Sequence, residues 1–257
     1  MAITFTDITA AAVASSSNVS TYASGSFTPL VNRLYLLAVA HSDAAAEATV
    51  PTVTTTTGLA FVQVGSSIVY DTIASNVHRL TLFRAMKSSG LSAGTYTITF
   101  GDNSTGAAGL LLESNDQINT GGTDGSSAVT NISTNNGDAS ANPTVTLGAF
   151  SNNNNAVVAF FGSDIQTAPT APEGWTAMGD PDYNTPATGV FGMWIGNTSS
   201  PATCTLTSSD WAAIAVEVVS ASTTNYETAL PKYPDRVVLG KPEVVVYGDQ
   251  VRSGIKG

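Results

Sequence analysis

Apolar residues in this chain recur in short runs with the period of a β-strand, and nowhere in a stripe long enough for a stable helix. Ile3 to Ile8 alternates, and Thr95 to Phe100 alternates through Tyr96, Ile98 and Phe100. His78 to Met86 sets Leu80 and Leu82 between polar neighbours. Asn32 to Ala40 and Ala107 to Leu112 are apolar runs, the pattern of strands covered on both faces. Leu59 to Val64 and Ser67 to Asp71 add short β-branched or aromatic pieces. The alanine-rich pieces at 10–14 and 44–48 are too short for a stable helix. The fold class predicted is all-β.

The pattern then restarts. After a polar stretch, Ser114 to Pro143, with one weak strand expected near Ser127 to Ile132, Thr144 to Phe150 resembles Thr21 to Phe27. Asn155 to Gly162 matches Arg33 to His41, and Pro172 to Met178 matches Gly58 to Phe61. Gly189 to Gly196 matches His78 to Met86, and Pro201 to Thr207 matches Ala93 to Thr99. Trp211 to Val219 matches Ala107 to Glu113, with Glu217 and Glu113 in like places. The offset shrinks from about 120 to about 100 residues, as in a degenerate internal repeat. The pseudo-repeats span about 20–113 and 142–220 around the polar loop 114–143. Two architectures follow: tandem sandwiches, or one jelly-roll-like β-sandwich of two stacked sheets. No Pro-rich or charged linker joins the halves, which favours the single sandwich.

Charge divides the chain at about residue 222. Residues 1–222 hold four Lys and Arg against 15 acids, a formal −11; residues 223–257 hold five against four, a formal +1. The C-terminal 35 residues also hold Pro231, Pro234 and Pro242, which keep a backbone extended. Arg236 to Leu239 and Glu243 to Tyr247 read as two short strands, joined as a hairpin across Gly240-Lys241-Pro242 or added to the edge of a neighbouring subunit. Left exposed, such runs aggregate. The partner-binding residues expected are Tyr233, Arg236, Val237, Val238, Leu239, Val244, Val245, Val246, Tyr247 and Arg252. Docking on the chain's own body is the competing arrangement.

Only 11% of residues are charged, and the pI near 4.3 leaves no basic face for phosphates, which argues against nucleic acid. No 18-residue apolar window predicts a membrane span. The start Met-Ala-Ile-Thr-Phe-Thr-Asp lacks a signal-peptide pattern. Cys204, the single cysteine, is expected as a small buried hydrophobe.

The stretches Thr28-Pro29-Leu-Val-Asn32-Arg33-Leu-Tyr-Leu, Arg79-Leu-Thr-Leu-Phe83-Arg84, Pro172-Glu-Gly-Trp175-Thr and Trp211-Ala-Ala-Ile-Ala-Val-Glu217-Val resemble tailed-bacteriophage virion proteins with a lectin-like sandwich. The resemblance implies a place on a virus particle: capsid surface, head fibre or tail. It carries over no site residue. It implies capsid or other virion partners, and by analogy a trimer.

No catalytic constellation stands out, and no cofactor or metal is expected. His41 and His78 read as strand-end surface histidines without a triad. Asp180, Asp182 and Asn184 are spaced like the start of a calcium loop, but Thr185 and Phe191 stand where its Gly and Glu belong. A polysaccharide hydrolase would draw on Glu113, Glu173 and Glu217. A host-glycan site would use Trp175, Tyr183, Asn184 and Trp211; the alternative is that Trp175 and Trp194 fill the core with their indole N–H groups bonded to loops. The expected function is a capsid decoration or cement protein held by its C-terminal arm, with a glycan-binding adhesin as the alternative.

Overall fold

The computed structural model describes residues 3–43, 50–71, 76–115, 124–166, 169–184 and 186–219, and the backbone of 244–247 and 250–253. The chain divides into two units, Met1–Ala221 and Ser222–Gly257. Among its described residues the first is all-β apart from one 3-10 turn at Thr9–Ala11.

Its first half carries β1 (Phe5–Asp7), β2 (Val13–Ser15), β3 (Val19–Ala23), β4 (Tyr35–Asp43), β5 (Thr52–Thr55), β6 (Val62–Gln63), β7 (Ile68–Tyr70), β8 (Val77–Ala85), β9 (Tyr96–Ser104) and β10 (Gly106–Ser114). Its second half carries β11 (Val129–Ser140), β12 (Thr144–Val145), β13 (Ala156–Ser163), β14 (Thr176–Ala177), β15 (Asp182–Tyr183), β16 (Thr188–Ile195), β17 (Ala202–Thr203) and β18 (Ser209–Val218). One main sheet runs β1-β10-β4-β8-β6, with β2 also on β10 and β7 on β8; the other runs β11-β18-β13-β16-β14, with β15 on β16. Two smaller sheets, β3-β9-β5 and β12-β17, complete the unit.

Alternation along each strand sends side chains to two different cores. Leu36, Leu80, Leu82, Leu110 and Leu112 meet Val158, Phe160, Val190, Ile214 and Val216 between the main sheets. The opposite face of the first sheet, with Tyr35, Leu37, Val39 and Phe83, is covered by Tyr22, Tyr96, Ile98 and Phe100. The opposite face of the second, with Val157, Phe161, Phe191 and Met193, is covered by Val145, Ala202 and Cys204. The result is four layers, with β4 and β13 buried at every position as their apolar runs require.

Each main sheet is built from one half of the chain, and the two sheets share one core between them. The halves share a register. Tyr35 stands opposite Ala85 and Glu113, and Val157 stands opposite Ile195 and Glu217. A half that covers only one face of its main sheet leaves the other face apolar, and the two uncovered faces bury each other.

The polar stretch differs from expectation. β11 continues to Ser140, well past Ile132. It pairs with β18 and bends at two register shifts, near Asn131 and between Gly137 and Ser140. Asn131 and Ala139 take positive φ, 45° each. Most of the strand is exposed or half-exposed, so it has no apolar alternation to reveal it.

In the second unit, β19 (Val244–Tyr247) pairs antiparallel with β20 (Gln250–Ser253), Val244 opposite Ser253 and Tyr247 opposite Gln250. The expected partner run, Arg236 to Leu239, lies outside the described residues, as does Tyr233. A two-residue connection suits a tight hairpin.

Candidate functional site

The strongest concentration of titratable groups lies at one end of the shared core. There β4 ends beside the starts of β8 and β10, and β13 ends beside the starts of β16 and β18. Polar residues mark these ends, because loops leave there and backbone groups need partners. Ser42, Asp43, His78, Arg79, Ser163 and Ser209 are all buried.

From the first half, the His78 Nδ1 lies 3.1 Å from Asp71 Oδ2. The Tyr70 ring stacks on the imidazole, centroids 5.4 Å apart. Arg79 Nη1 donates to Ser67 Oγ at 2.6 Å. From the second half, the Asp210 N–H donates to Asp164 Oδ1 at 3.1 Å, and Asp210 Oδ1 accepts the Ala139 N–H at 2.9 Å. The hydroxyls of Tyr183 and Ser42 lie 2.7 Å apart and join the halves.

Burial lowers the His78 pKa against the pull of Asp71, so the imidazole is held toward its neutral form. Burial pushes Asp164 up to about 6, helped by the charges of Asp210 and Asp71. Burial also raises Tyr70 well above the ordinary phenol range and Tyr183 to about 12. The imidazole is held by Asp71, the Tyr70 ring and the backbone at Ala187. The Ser42–Tyr183 pair and the bond between His78 and the Ala187 backbone join the two halves, and beside them the Asp164 carboxyl is raised to about 6.

Neither histidine is a surface residue, contrary to expectation: His41 is 0% exposed and His78 2%. β4 runs on to Asp43, so His41 lies inside the strand, its ring centroid 4.4 Å from that of Phe100.

The four candidate glycan residues do not converge. Tyr183 is buried between the main sheets with its hydroxyl at Ser42, and Trp211 is buried under the outer layer of the second half. Trp175 is half-buried against that outer core, and Asn184 is exposed. Trp194 packs on the shared core, centroid 6.2 Å from Phe5, but its Nε1 has no hydrogen-bond partner among the described residues, unlike the loop-bonded indole expected. Asp180 and Asp182 line a recess with Ser163, Gln166 and Pro169 whose volume of about 10 Å³ is far below that of common ligand pockets. Gln166 Nε2 donates to Asp182 at 3.3 Å. Among the described residues no group of three or more His, Cys, Asp or Glu side chains is placed to hold a metal.

Glu113 and Glu217 close the opposite end of the central strands. Glu113 accepts the Tyr35 hydroxyl at 2.8 Å. Glu217 Oε1 accepts Asn155 Nδ2 at 2.6 Å and the Ser151 N–H and hydroxyl at 2.9 Å each. Glu173 is exposed in a separate turn. Half-buried Glu113 and buried Glu217 are both spent on fixing the chain entering a central strand. Of the expected partner-binding residues, Val244 to Tyr247 and Arg252 lie in the hairpin of the second unit.

The titratable cluster escaped the sequence because its members come from four separate segments. A signal was present: the dipeptide Ser-Asp closes or opens a buried strand at 42–43, 163–164 and 209–210. Comparison with protein-family models, curated proteins and solved structures gives no match.

Proposed function

We propose that this chain is a virion structural protein, a capsid decoration or cement protein that attaches through its C-terminal unit. The observation that carries the reading is the separate hairpin β19–β20. A two-stranded hairpin alone is marginal in water, so it calls for a surface to complete it. Its segment carries a formal +1 against −11 on the first 222 residues, which favours docking on an acidic neighbour. Glu113 and Glu217 are engaged in hydrogen bonds within the body, and the reading places function on surfaces. The resemblance to phage virion proteins supplies the setting.

The test is incorporation into particles. Full-length protein and a chain ending at Ala221 are compared on purified particles by quantitative mass spectrometry. Many copies of the full chain and loss of the shortened one are expected. Equal incorporation of both overturns the anchoring role, and absence of the full chain from particles overturns the virion reading. Circular dichroism of the shortened chain separates lost docking from lost folding.

A further inference from the structure

Sheet edges present unpaired backbone groups, and folded proteins blunt them by keeping edge strands short or broken. Three of the four main-sheet edges follow that rule. One is split between β1 and β2, three residues each, with a 3-10 turn between them. Another is split between β6 and β7, and a third between β14 and β15, in pieces of two or three residues. The fourth edge is β11, twelve residues long and, among the described residues, paired only with β18. It has no Lys, Arg or Pro to deter a neighbour, and its one charge is Asp138.

Between its two register shifts β11 keeps an unbroken ladder from Ile132 to Gly137. Ile132, Thr134, Asn135 and Asn136 are exposed there, Ile132 at 41%. Asn135 Nδ2 reaches Thr144 O and Asn136 Nδ2 reaches Val69 O, which braces the strand from both faces, and among the described residues no backbone hydrogen bond is made to its outer edge from Ile132 to Gly137.

We propose that β11 is a self-pairing edge through which two copies of this chain associate. The strand can pair with a second copy of itself. In an antiparallel pair, facing side chains share a sheet face, so a two-fold axis perpendicular to the sheet passes through one residue and its copy. Centred on Thr134, the pairing sets Thr134 against Thr134, Ser133 against Asn135 and Ile132 against Asn136. No charge meets its like, and a Thr–Thr pair sits at the centre, a favourable cross-strand combination. Asp138 falls beyond the second bulge, outside the paired run. The assembly is a closed two-fold dimer, not the trimer that the phage resemblance implies. It does not depend on the C-terminal segment.

Each chain carries a formal charge of −10, so screening by salt tightens the dimer. Docking of the positively charged C-terminal segment on the same edge has the opposite salt dependence. The experiment is sedimentation velocity on the full-length chain over a range of concentration and salt, with Thr134→Lys and Thr134→Glu beside it. Thr134 is exposed, and circular dichroism checks that each variant folds. A dimer that strengthens with salt is expected, weakened at least about tenfold by either substitution alone, since like charges then face each other across the pair. Mixing the two variants restores association. A parent chain that stays monomeric throughout overturns the proposal. So does unchanged dimerisation of both variants. Association that ignores Thr134 but is lost with salt, or on removing residues 222–257, assigns the contact to the C-terminal segment and also overturns it.

Discussion

The hydroxyl of Tyr70 lies over Gly162, where a Cβ would sit 2.9 Å from it and 3.2 Å from the ring carbon that bears it. Tyr70 belongs to the first half and Gly162 to the second. The contact is reciprocated: the Tyr183 ring of the second half occupies the space where Gly106 of the first half lacks a side chain. Each half thus uses a glycine in a central strand to admit a tyrosine from the other.

Gly162→Ala is expected to destabilise the protein by about 1–3 kcal/mol, the usual cost of overpacking a core. The Tyr70 hydroxyl has no hydrogen-bond partner among the described residues, so Tyr70→Phe removes a buried unsatisfied group and is expected to be neutral or stabilising. In the double variant much of the cost should vanish, because the clashing oxygen is gone. Urea unfolding of all four proteins measures the coupling; strictly additive effects would mean that the hydroxyl is not what opposes the new methyl.

Asp164 predicts a pH slope. Its folded pKa, about 6, lies above the ordinary value of 3.8, so the folded state binds the proton more tightly than the unfolded chain does. Stability from this group is therefore full below about pH 4 and is lost as pH rises through 6. His78 acts oppositely: with its pKa lowered from 6.5, it costs stability as pH falls below that value. Asp164→Asn keeps an oxygen for the Asp210 N–H and removes the titration. The variant should be more stable than the parent at pH 7 and closely matched at pH 4. A constant difference across that range would place the effect elsewhere.

The two equivalent glutamates should answer differently to loss of charge. Burial raises Glu113, with the Tyr35 hydroxyl and Arg33 acting against it. Burial also pushes Glu217 upward, but the donors on Asn155 and Ser151 outweigh it and its pKa falls. Glu217 thus adds stability above its unfolded value of 4.5 that is lost as pH drops through the lower folded value. At pH 7, Glu217→Gln is expected to cost about 1–2 kcal/mol, the scale of hydrogen bonds to a charged group. Glu113→Gln keeps an acceptor for Tyr35 and should be neutral or slightly stabilising. Near pH 3 the Glu217→Gln deficit should close. Thermal unfolding across pH 3–7 reads both.

What the sequence revealed follows burial. β4, β10, β13 and β18 were legible because central strands covered on both faces are apolar at almost every position. In these strands Glu113 stands opposite Tyr35 and Glu217 opposite Val157. β11 was not legible, because an exposed edge is written in Asn, Ser and Thr, like a loop. The outer layer of the second half was legible in part: the stretches Thr144 to Phe150 and Pro201 to Thr207 read as strands, and Val145, Leu147, Ala202, Cys204 and Leu206 are buried there, although β12 and β17 pair over only two residues each. The grouping of Tyr70, Asp71 and His78 near Asp164 and Asp210 brings distant segments together, which local pattern cannot report.

Cys204 offers a probe of that outer layer. Alternation between Thr203 and Thr205 places it inward, and it is 1% exposed. Burial pushes its thiol up to about 12, so little thiolate, the reactive form, exists at pH 8. Native protein should therefore resist a disulfide-exchange reagent. The layer above Cys204 is held by the short β12–β17 pair and the bridge between Thr170 and Thr205, whereas the main sheets are held by long ladders. That difference predicts local opening at lower free energy than global unfolding. Labelling at low urea should then depend only weakly on denaturant, since local opening exposes little surface, and should merge with the global transition at higher urea. A slope equal to that of global unfolding from the lowest urea upward would show that the outer layer and the shared core open as one.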